Sequence, residues 1–120
     1  MSGRYWSFVA TLVAAVALLV TTTVAQDQGQ VREFTVTGNH YAFSPSTLTV
    51  NGNDLVKITF TAQDIPHSFT IDEYRIVKRA SAGQAVTFEF RADKAGPFPF
   101  YCNLSQDEKC RDMKGTLTVR

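Results

Sequence analysis

The chain has 120 residues, 44% of them hydrophobic, and a net charge of +1. This length and composition are typical of a single ordinary domain, and so small a charge argues against binding to nucleic acid or to an acidic membrane surface. Nine Phe and four Tyr residues favour a β-rich core.

Residues 1–25 have the pattern of a signal peptide. Arg4 supplies an early positive charge, residues 8–20 form an almost unbroken apolar run, and small residues lead to Ala25. This is the order of segments in an export signal. We expect a signal helix that is cleaved after Ala25; the alternative is an uncleaved membrane anchor, because the apolar stretch approaches the length of a span. Either outcome places residues 26–120 in the periplasm or in the secreted fraction, where disulfides persist.

The remainder of the chain consists of short segments with strand-like patterns separated by turn residues. In the clearest one, Val56, Ile58 and Phe60 alternate with polar residues, which indicates a strand with one buried and one solvated face. Residues 40–46 contain Pro45 and are expected to form a loop or an irregular strand. Strands are predicted at residues 31–37, 48–50, 56–61, 67–71, 76–77, 86–91, 98–102 and 116–119. With no helical periodicity beyond the leader, the pattern predicts an all-β fold, an antiparallel Greek-key β-sandwich.

Strand parity directs a histidine and a cysteine into this core. Side chains two residues apart point to the same face of a strand, so His67 faces inward with Phe69 and Cys102 faces inward with Phe100. A lone histidine is usually a partly exposed residue, but this inward placement opposite Cys102 favours a ligand. The other histidine, His40, is assigned to a surface or capping role.

Residues 98–115 concentrate the sulfur chemistry of the chain. They hold Cys102, Cys110 and Met113, which are both cysteines and one of the two methionines. Thiolate and thioether groups are soft ligands that select copper over harder metals. The competing interpretations are that Met113 is an ordinary core residue and that the cysteines form a disulfide. A disulfide loop this short would add about 2–3 kcal/mol of stability in an exported protein.

Together these segments resemble the cupredoxins, most of all the branch related to the periplasmic copper domain of cytochrome c oxidase subunit II. The likeness covers nearly all of residues 31–120. It implies a cupredoxin-like domain over residues 26–120 that holds copper. Four segments carry the resemblance. They are an early strand and turn (residues 43–52), the segment with the histidine (64–71), the approach to the first cysteine (88–102), and the methionine with the closing strand (113–119).

The segment from Cys102 to Met113, called the sulfur-containing loop below, departs from both copper patterns of that family. A blue-copper loop has a histidine soon after its cysteine, whereas this chain has no histidine after His67. At the positions where a dinuclear loop has its second cysteine, its histidine and its methionine, this chain has Gln106, Cys110 and Met113. The resemblance therefore implies no dinuclear centre. The donors that it leaves for copper are His67, Cys102, Cys110 and Met113, with Ser68 as a weaker candidate for a hydrogen bond to a ligand sulfur.

The resulting prediction is an exported copper-binding protein that transfers single electrons through a mononuclear site and is not an enzyme. Its expected partner is a redox protein or a copper donor or acceptor, with no role for nucleic acid, and with membrane contact only if residues 1–25 stay attached. One alternative is a Cu(I) carrier or scavenger, and the other is a metal-free, disulfide-stapled β-sandwich that binds a partner. Two histidines are too few for a trinuclear copper centre, and no Ser-His-Asp or paired-carboxylate arrangement stands out.

Overall fold

Short alternating segments become strands throughout the domain. The computed structural model describes residue 3, residues 14–20 and residues 29–120. In residues 29–120 the strands are β1 Val31–Asn39, β2 Ala42–Ser44, β3 Thr47–Val50, β4 Leu55–Ala62, β5 His67–Ile71, β6 Ile76–Ala80, β7 Ala85–Arg91, β8 Gly96–Tyr101 and β9 Lys114–Val119. Two short 3-10 helices, Asp72–Tyr74 and Glu108–Asp112, complete the regular structure of this part. The all-β prediction is confirmed for the described residues.

The predicted signal segment, residues 1–25, falls largely outside the described residues. Residues 14–20 are exposed and have no regular secondary structure, so the expected signal helix is not shown. Within the described ranges, no helix has the length and apolar character needed to cross a membrane.

Two sheets form the sandwich, one with the strand order β2-β1-β4-β7 and the other with the order β3-β9-β8-β5-β6. The prediction of a wholly antiparallel sandwich is wrong in two places, because β1 pairs in parallel with β4 and β3 pairs in parallel with β9. Apolar alternation reports which face of a strand is buried, not the direction in which it runs. The sequence pattern therefore could not reveal these parallel pairs.

The core lies between the sheets and is rich in phenylalanine. The alternation predicted for β4 is confirmed, since Val56, Ile58 and Phe60 are fully buried. Phe69 of β5 stacks on Phe100 of β8, with ring centroids 4.6 Å apart. Burial of each such side chain contributes roughly 1.5–3 kcal/mol relative to its exposure. This stacking joins β5 and β8, which are neighbouring strands of the five-stranded sheet.

Strand β5 positions the candidate site because every one of its residues is buried. Its antiparallel register with β8, set by the pair Thr70 and Tyr101, brings the start of β5 beside the residues that follow β8. His67 and Cys102 consequently lie at the same end of the core. The inward placement predicted for both is confirmed, since each has 0% of its surface exposed.

Candidate metal centre

A disulfide between Cys102 and Cys110 is the central feature of the site. The Cα atoms of the two residues are 5.2 Å apart, and both side chains are buried. The short helix Glu108–Asp112 turns the chain back toward β8, and the Asp107 carboxylate caps it by accepting the Lys109 N–H at 3.1 Å. The return of the loop therefore depends on a local cap together with the covalent bond.

Backbone N–H groups point at both sulfur atoms. The Ser68 N–H donates to Cys102 Sγ at 3.4 Å, and the Leu104 N–H donates to Cys110 Sγ at 3.1 Å. Donors in such positions stabilise sulfur more strongly when it carries the negative charge of a thiolate. The surroundings of the two cysteines are therefore suited to their reduced, ionised forms.

A reciprocal pair of hydrogen bonds fixes the chain just after Cys102. The Ser68 hydroxyl donates to Asn103 Oδ1 at 2.7 Å and accepts the Asn103 N–H at 2.7 Å. The hydrogen bond predicted from Ser68 to a ligand sulfur is made by its backbone N–H, which donates to Cys102 Sγ, while its side chain holds Asn103. Both contacts join β5 to the sulfur-containing loop.

Met113 is hydrogen-bonded through its backbone to both cysteines. Its carbonyl accepts the Cys102 N–H at 3.3 Å, and its own N–H donates to the Cys110 carbonyl at 3.1 Å. Its side chain is fully buried. The methionine is thus held against both cysteines by its backbone, whichever role its sulfur has.

His67 is fully buried and has two different ring nitrogens. Nε2 lies 2.7 Å from Oδ1 of Asp64, whereas Nδ1 is buried and has no hydrogen-bond partner among the described residues. Gly38 lies close to the ring, where a Cβ atom would be 3.1 Å from Cδ2 of the imidazole. The Tyr41 ring meets the imidazole edge-on, with centroids 6.2 Å apart. The imidazole ring is enclosed on several sides, yet its Nδ1 atom remains available to bind a ligand.

Asp64 is held by two hydrogen bonds at the rim of this pocket. Its Oδ2 accepts the backbone N–H of His40 at 3.0 Å, and its Oδ1 contacts His67. Burial opposes ionisation of this carboxyl, but these hydrogen bonds outweigh it and hold the pKa of Asp64 well below its ordinary value. Asp64 is therefore a carboxylate at neutral pH.

The β1–β2 turn touches the sulfur-containing loop as well as His67. A hydrogen bond with Asp107 raises the pKa of the Tyr41 hydroxyl, and Lys109 Nζ lies 5.5 Å from the centre of the Tyr41 ring. Tyr41 therefore links three segments around the buried imidazole. His40, in the same turn, has a side chain that is 85% exposed, with its Nδ1 atom 3.7 Å from Oδ2 of Asp64.

The structure brings all four predicted donors, His67, Cys102, Cys110 and Met113, to one end of the sandwich. In the disulfide state neither cysteine is a thiolate, and in residues 14–20 and 29–120 no group of three or more His, Cys, Asp or Glu side chains could hold a metal ion. The ligand set therefore stays a prediction that concerns the reduced protein.

The chemistry of these residues fits copper once the disulfide is reduced. Reduction would release two thiols that can bind metal as thiolates, Met113 is hydrogen-bonded to both cysteines through its backbone, and the Nδ1 atom of His67 is a buried polar atom without a partner in the described part of the chain. Sulfur and imidazole are the ligand types that suit copper. The residues that would hold it are His67, Cys102, Cys110 and Met113.

Sequence reasoning missed the residues that surround the imidazole. Gly38 and Tyr41 come from β1 and the turn after it, more than twenty residues before His67, and no sequence pattern links them. Asp64 left a weak signal, because it precedes His67 by three residues in a turn-rich segment. A carboxylate three residues before a histidine is close enough in sequence to hydrogen-bond its ring.

Comparison with solved structures identifies the same fold in other proteins. The periplasmic domain of subunit II of cytochrome oxidase from Bradyrhizobium japonicum matches with a TM-score of 0.65 and 16% identity over 73% of this chain and 83% of that one. Auracyanin A, a blue copper protein from Chloroflexus aurantiacus, matches with a TM-score of 0.64 and 17% identity over 75% of this chain and 99% of that one. At such identities the likeness shows the fold alone.

A chain of a heme-copper terminal oxidase dimer has a TM-score of 0.65 and 16% identity over 74% of this chain, which spans only 65% of that longer chain. No curated protein sequence matches significantly. The family model of the cupredoxin-like domain matches residues 10–119. The chain therefore belongs to the cupredoxin-like family.

Proposed function

We propose that the reduced protein binds one copper ion through His67, Cys102, Cys110 and Met113 and carries single electrons outside the cytoplasm. The observation that carries this proposal is the buried Nδ1 atom of His67, which has no partner in residues 29–120 and lies at the same end of the core as the sulfur pair. A buried polar atom without a hydrogen bond is costly, and a metal ion would satisfy it. Membership of the cupredoxin-like family supports the choice of copper.

Copper loading requires prior reduction of the disulfide. A dithiol reductant supplies two electrons and two protons, so that the Cys102–Cys110 bond breaks, two thiols form and the reductant becomes a disulfide. Both thiols lose their protons when they bind metal. The N–H groups of Ser68 and Leu104 then stabilise the two thiolates.

Copper, when bound, supplies the one-electron couple between Cu(I) and Cu(II). The residues of the chain would supply the rest: His67 and the two cysteines would hold the ion by strong bonds, Met113 by a weaker one, and the burial of these residues would exclude water. A redox protein is the partner that this activity requires, and no catalytic role is proposed for the chain.

A second candidate is a Cu(I) carrier, in which copper is the cargo. Two thiolates and a thioether against a single imidazole make an unusually soft set of donors, which favours Cu(I). The partner would then be a copper donor or acceptor. A third candidate, a stapled interaction module without metal, rests on the disulfide itself.

An extracytoplasmic location is part of this proposal. The disulfide supports it, because such bonds persist in oxidising compartments and are rare in the cytosol. The apolar leader in residues 1–25 supports it independently.

The deciding experiment is a copper titration of residues 26–120, with and without prior reduction, followed by visible absorption and EPR. We expect about one copper per chain only after reduction, with an intense thiolate-to-copper band that is lost in Cys102→Ser and weakened in His67→Ala. Tight Cu(I) binding without a stable coloured Cu(II) form would favour the carrier. Absence of binding in the reduced protein would leave the stapled module.

A further inference from the structure

Asp64 contacts one of the two ring nitrogens of His67. Its Oδ1 lies 2.7 Å from Nε2, and its Oδ2 already accepts the His40 N–H at 3.0 Å. An ionised carboxylate can only accept hydrogen bonds. A contact this short therefore requires that Nε2 is the nitrogen that donates.

The surroundings of the other ring nitrogen, Nδ1, indicate the same tautomer. Nδ1 is buried and meets no partner in the described part of the chain, so a proton there would be a buried donor with no acceptor. Orphaned N–H donors are rarer in folded proteins than acceptors with unused lone pairs. The arrangement therefore leaves Nδ1 with a free lone pair inside the core.

The carboxylate is itself aimed by an uncommon backbone conformation. His40 and Tyr41 have φ angles of 50° and 65°, in the left-handed region that non-glycine residues rarely adopt. This turn directs the His40 N–H at Asp64 and sets Tyr41 against the imidazole. Strained residues of this kind persist where the surrounding contacts determine them, often at functional sites.

We infer that Asp64 is the positioning residue of the site, which fixes the tautomer of the His67 ring so that the lone pair of Nδ1 stays free to bind copper before any metal arrives. This inference rests on the proposed function for its metal-binding part only. Carboxylates that accept a hydrogen bond from a ligand histidine fix its tautomer and strengthen it as a donor, and their loss typically lowers metal affinity about 10–100-fold.

The first test needs no metal. Nitrogen-15 NMR of the metal-free disulfide form at a mildly alkaline pH identifies the tautomer of His67 directly. We expect Nε2–H in the wild type and a mixture, or Nδ1–H, in Asp64→Ala. Asp64→Asn should be intermediate, because it replaces one of the two acceptor oxygens, either the one that faces His67 or the one that faces the His40 N–H, with an NH2 donor. Asp93→Asn, which removes an exposed carboxylate elsewhere, should match the wild type.

The second test is Cu(I) affinity of the reduced protein, measured by competition with a chelator. Asp64→Ala should bind about 10–100-fold more weakly, with partial recovery in Asp64→Asn. A wild-type protein with Nδ1–H, or an Asp64→Ala variant with unchanged tautomer and affinity, would overturn the inference. The wild-type spectrum decides the tautomer even if Asp64→Ala fails to fold. If no variant binds copper while the tautomer is as expected, the proposed function fails and the role of Asp64 in setting the ring stands.

Discussion

Two buried polar residues lie beyond the two ends of β4, and they differ in how their hydrogen bonds are met. Asp54, just before the strand, accepts the N–H groups of Gln30 and Asn51 at 2.8 Å each and the Arg32 Nε–H at 3.4 Å. His67, which follows the loop after β4, has one ring nitrogen paired and one unpaired in the region that the structure describes. A buried polar group with all its partners serves the fold, whereas an unpaired one calls for an explanation such as a bound ion.

The carboxylate of Asp54 illustrates the structural role. Backbone hydrogen bonds from Gln30 and Asn51, aided by Arg32, outweigh burial and hold the pKa of Asp54 below its ordinary value. The same contacts fasten the start of β1 to the turn before β4. Mutations near Asp54 should therefore change stability alone, whereas mutations near His67 should change copper binding as well.

The largest effect is expected at the two cysteines, because they contribute both to the stability of the fold and to the proposed copper site. Cys102→Ala combined with Cys110→Ala should lower the free energy of unfolding by about 2–3 kcal/mol under oxidising conditions, because the unfolded chain is no longer cross-linked. Copper binding should disappear. Denaturant unfolding with and without reductant measures the first effect, and the difference from the wild type should nearly close when both proteins are reduced. Equal stability of the oxidised and reduced wild type would contradict this expectation.

Gly115→Ala should disturb the packing beside Met113. A Cβ atom at residue 115 would overlap the Phe100 ring and lie 2.6 Å from the Ser46 carbonyl oxygen. Overpacking of this kind costs about 1–3 kcal/mol, which thermal unfolding should detect. Gly52→Ala is the matched control, since its Cβ would meet only the Arg120 carbonyl oxygen, at 3.4 Å. A loss of stability in both variants alike would show that the Phe100 contact is not the cause.

Asp54→Asn should separate stability from metal binding. The lowered pKa means that Asp54 contributes stability above its unfolded pKa, and this contribution is lost as the pH falls through the folded value. The variant should therefore melt several degrees below the wild type at neutral pH, with a gap that narrows in acid, while copper affinity stays unchanged. Thermal melts across pH check this, with Asp93→Asn as the control. A gap that does not depend on pH would argue against the role of the charge.

Gly38→Ala should show the opposite pattern, with the smallest change in stability. Its Cβ would lie 3.1 Å from Cδ2 of His67 and 3.2 Å from Cζ of Phe60, so the imidazole must shift slightly. The overpacking is offset by the lower conformational entropy of alanine in the unfolded chain, which keeps the net change near 1 kcal/mol or less. The copper spectrum and the NMR shifts of His67 should change clearly. Unchanged spectra together with a large loss of stability would show that the surroundings of His67 serve the fold and not the copper site.

The sequence was sufficient to predict the parts of the fold and site that depend on local periodicity. Alternation located β4, and parity placed His67 and Cys102 inside the core, because both follow from the two-residue period of a strand. The parallel direction of β1 against β4 depends on how the chain passes between sheets, which alternation does not report. The partners of the imidazole likewise depend on contacts between segments distant in sequence, such as Gly38 and Tyr41.

The state of the cysteines is a different kind of limit. The same two residues can be a disulfide or a pair of ligands, and the choice depends on the redox conditions rather than on residue identity. The competing interpretations of Cys102 and Cys110 were therefore both physically sound. The structure describes the disulfide state and leaves the copper ligands as a prediction.

The loop enclosed by Cys102 and Cys110 leaves the sandwich and returns to almost the same place, with Cα atoms 5.2 Å apart. Most of residues 103–109 are exposed, and the strands on either side pair with each other in register from Gly96 to Tyr101. Surface loops with closely spaced ends tolerate changes in length and composition. Evolution can therefore exchange the ligands in this loop while the sheets stay intact, and the same loop is the natural place to engineer a different metal specificity.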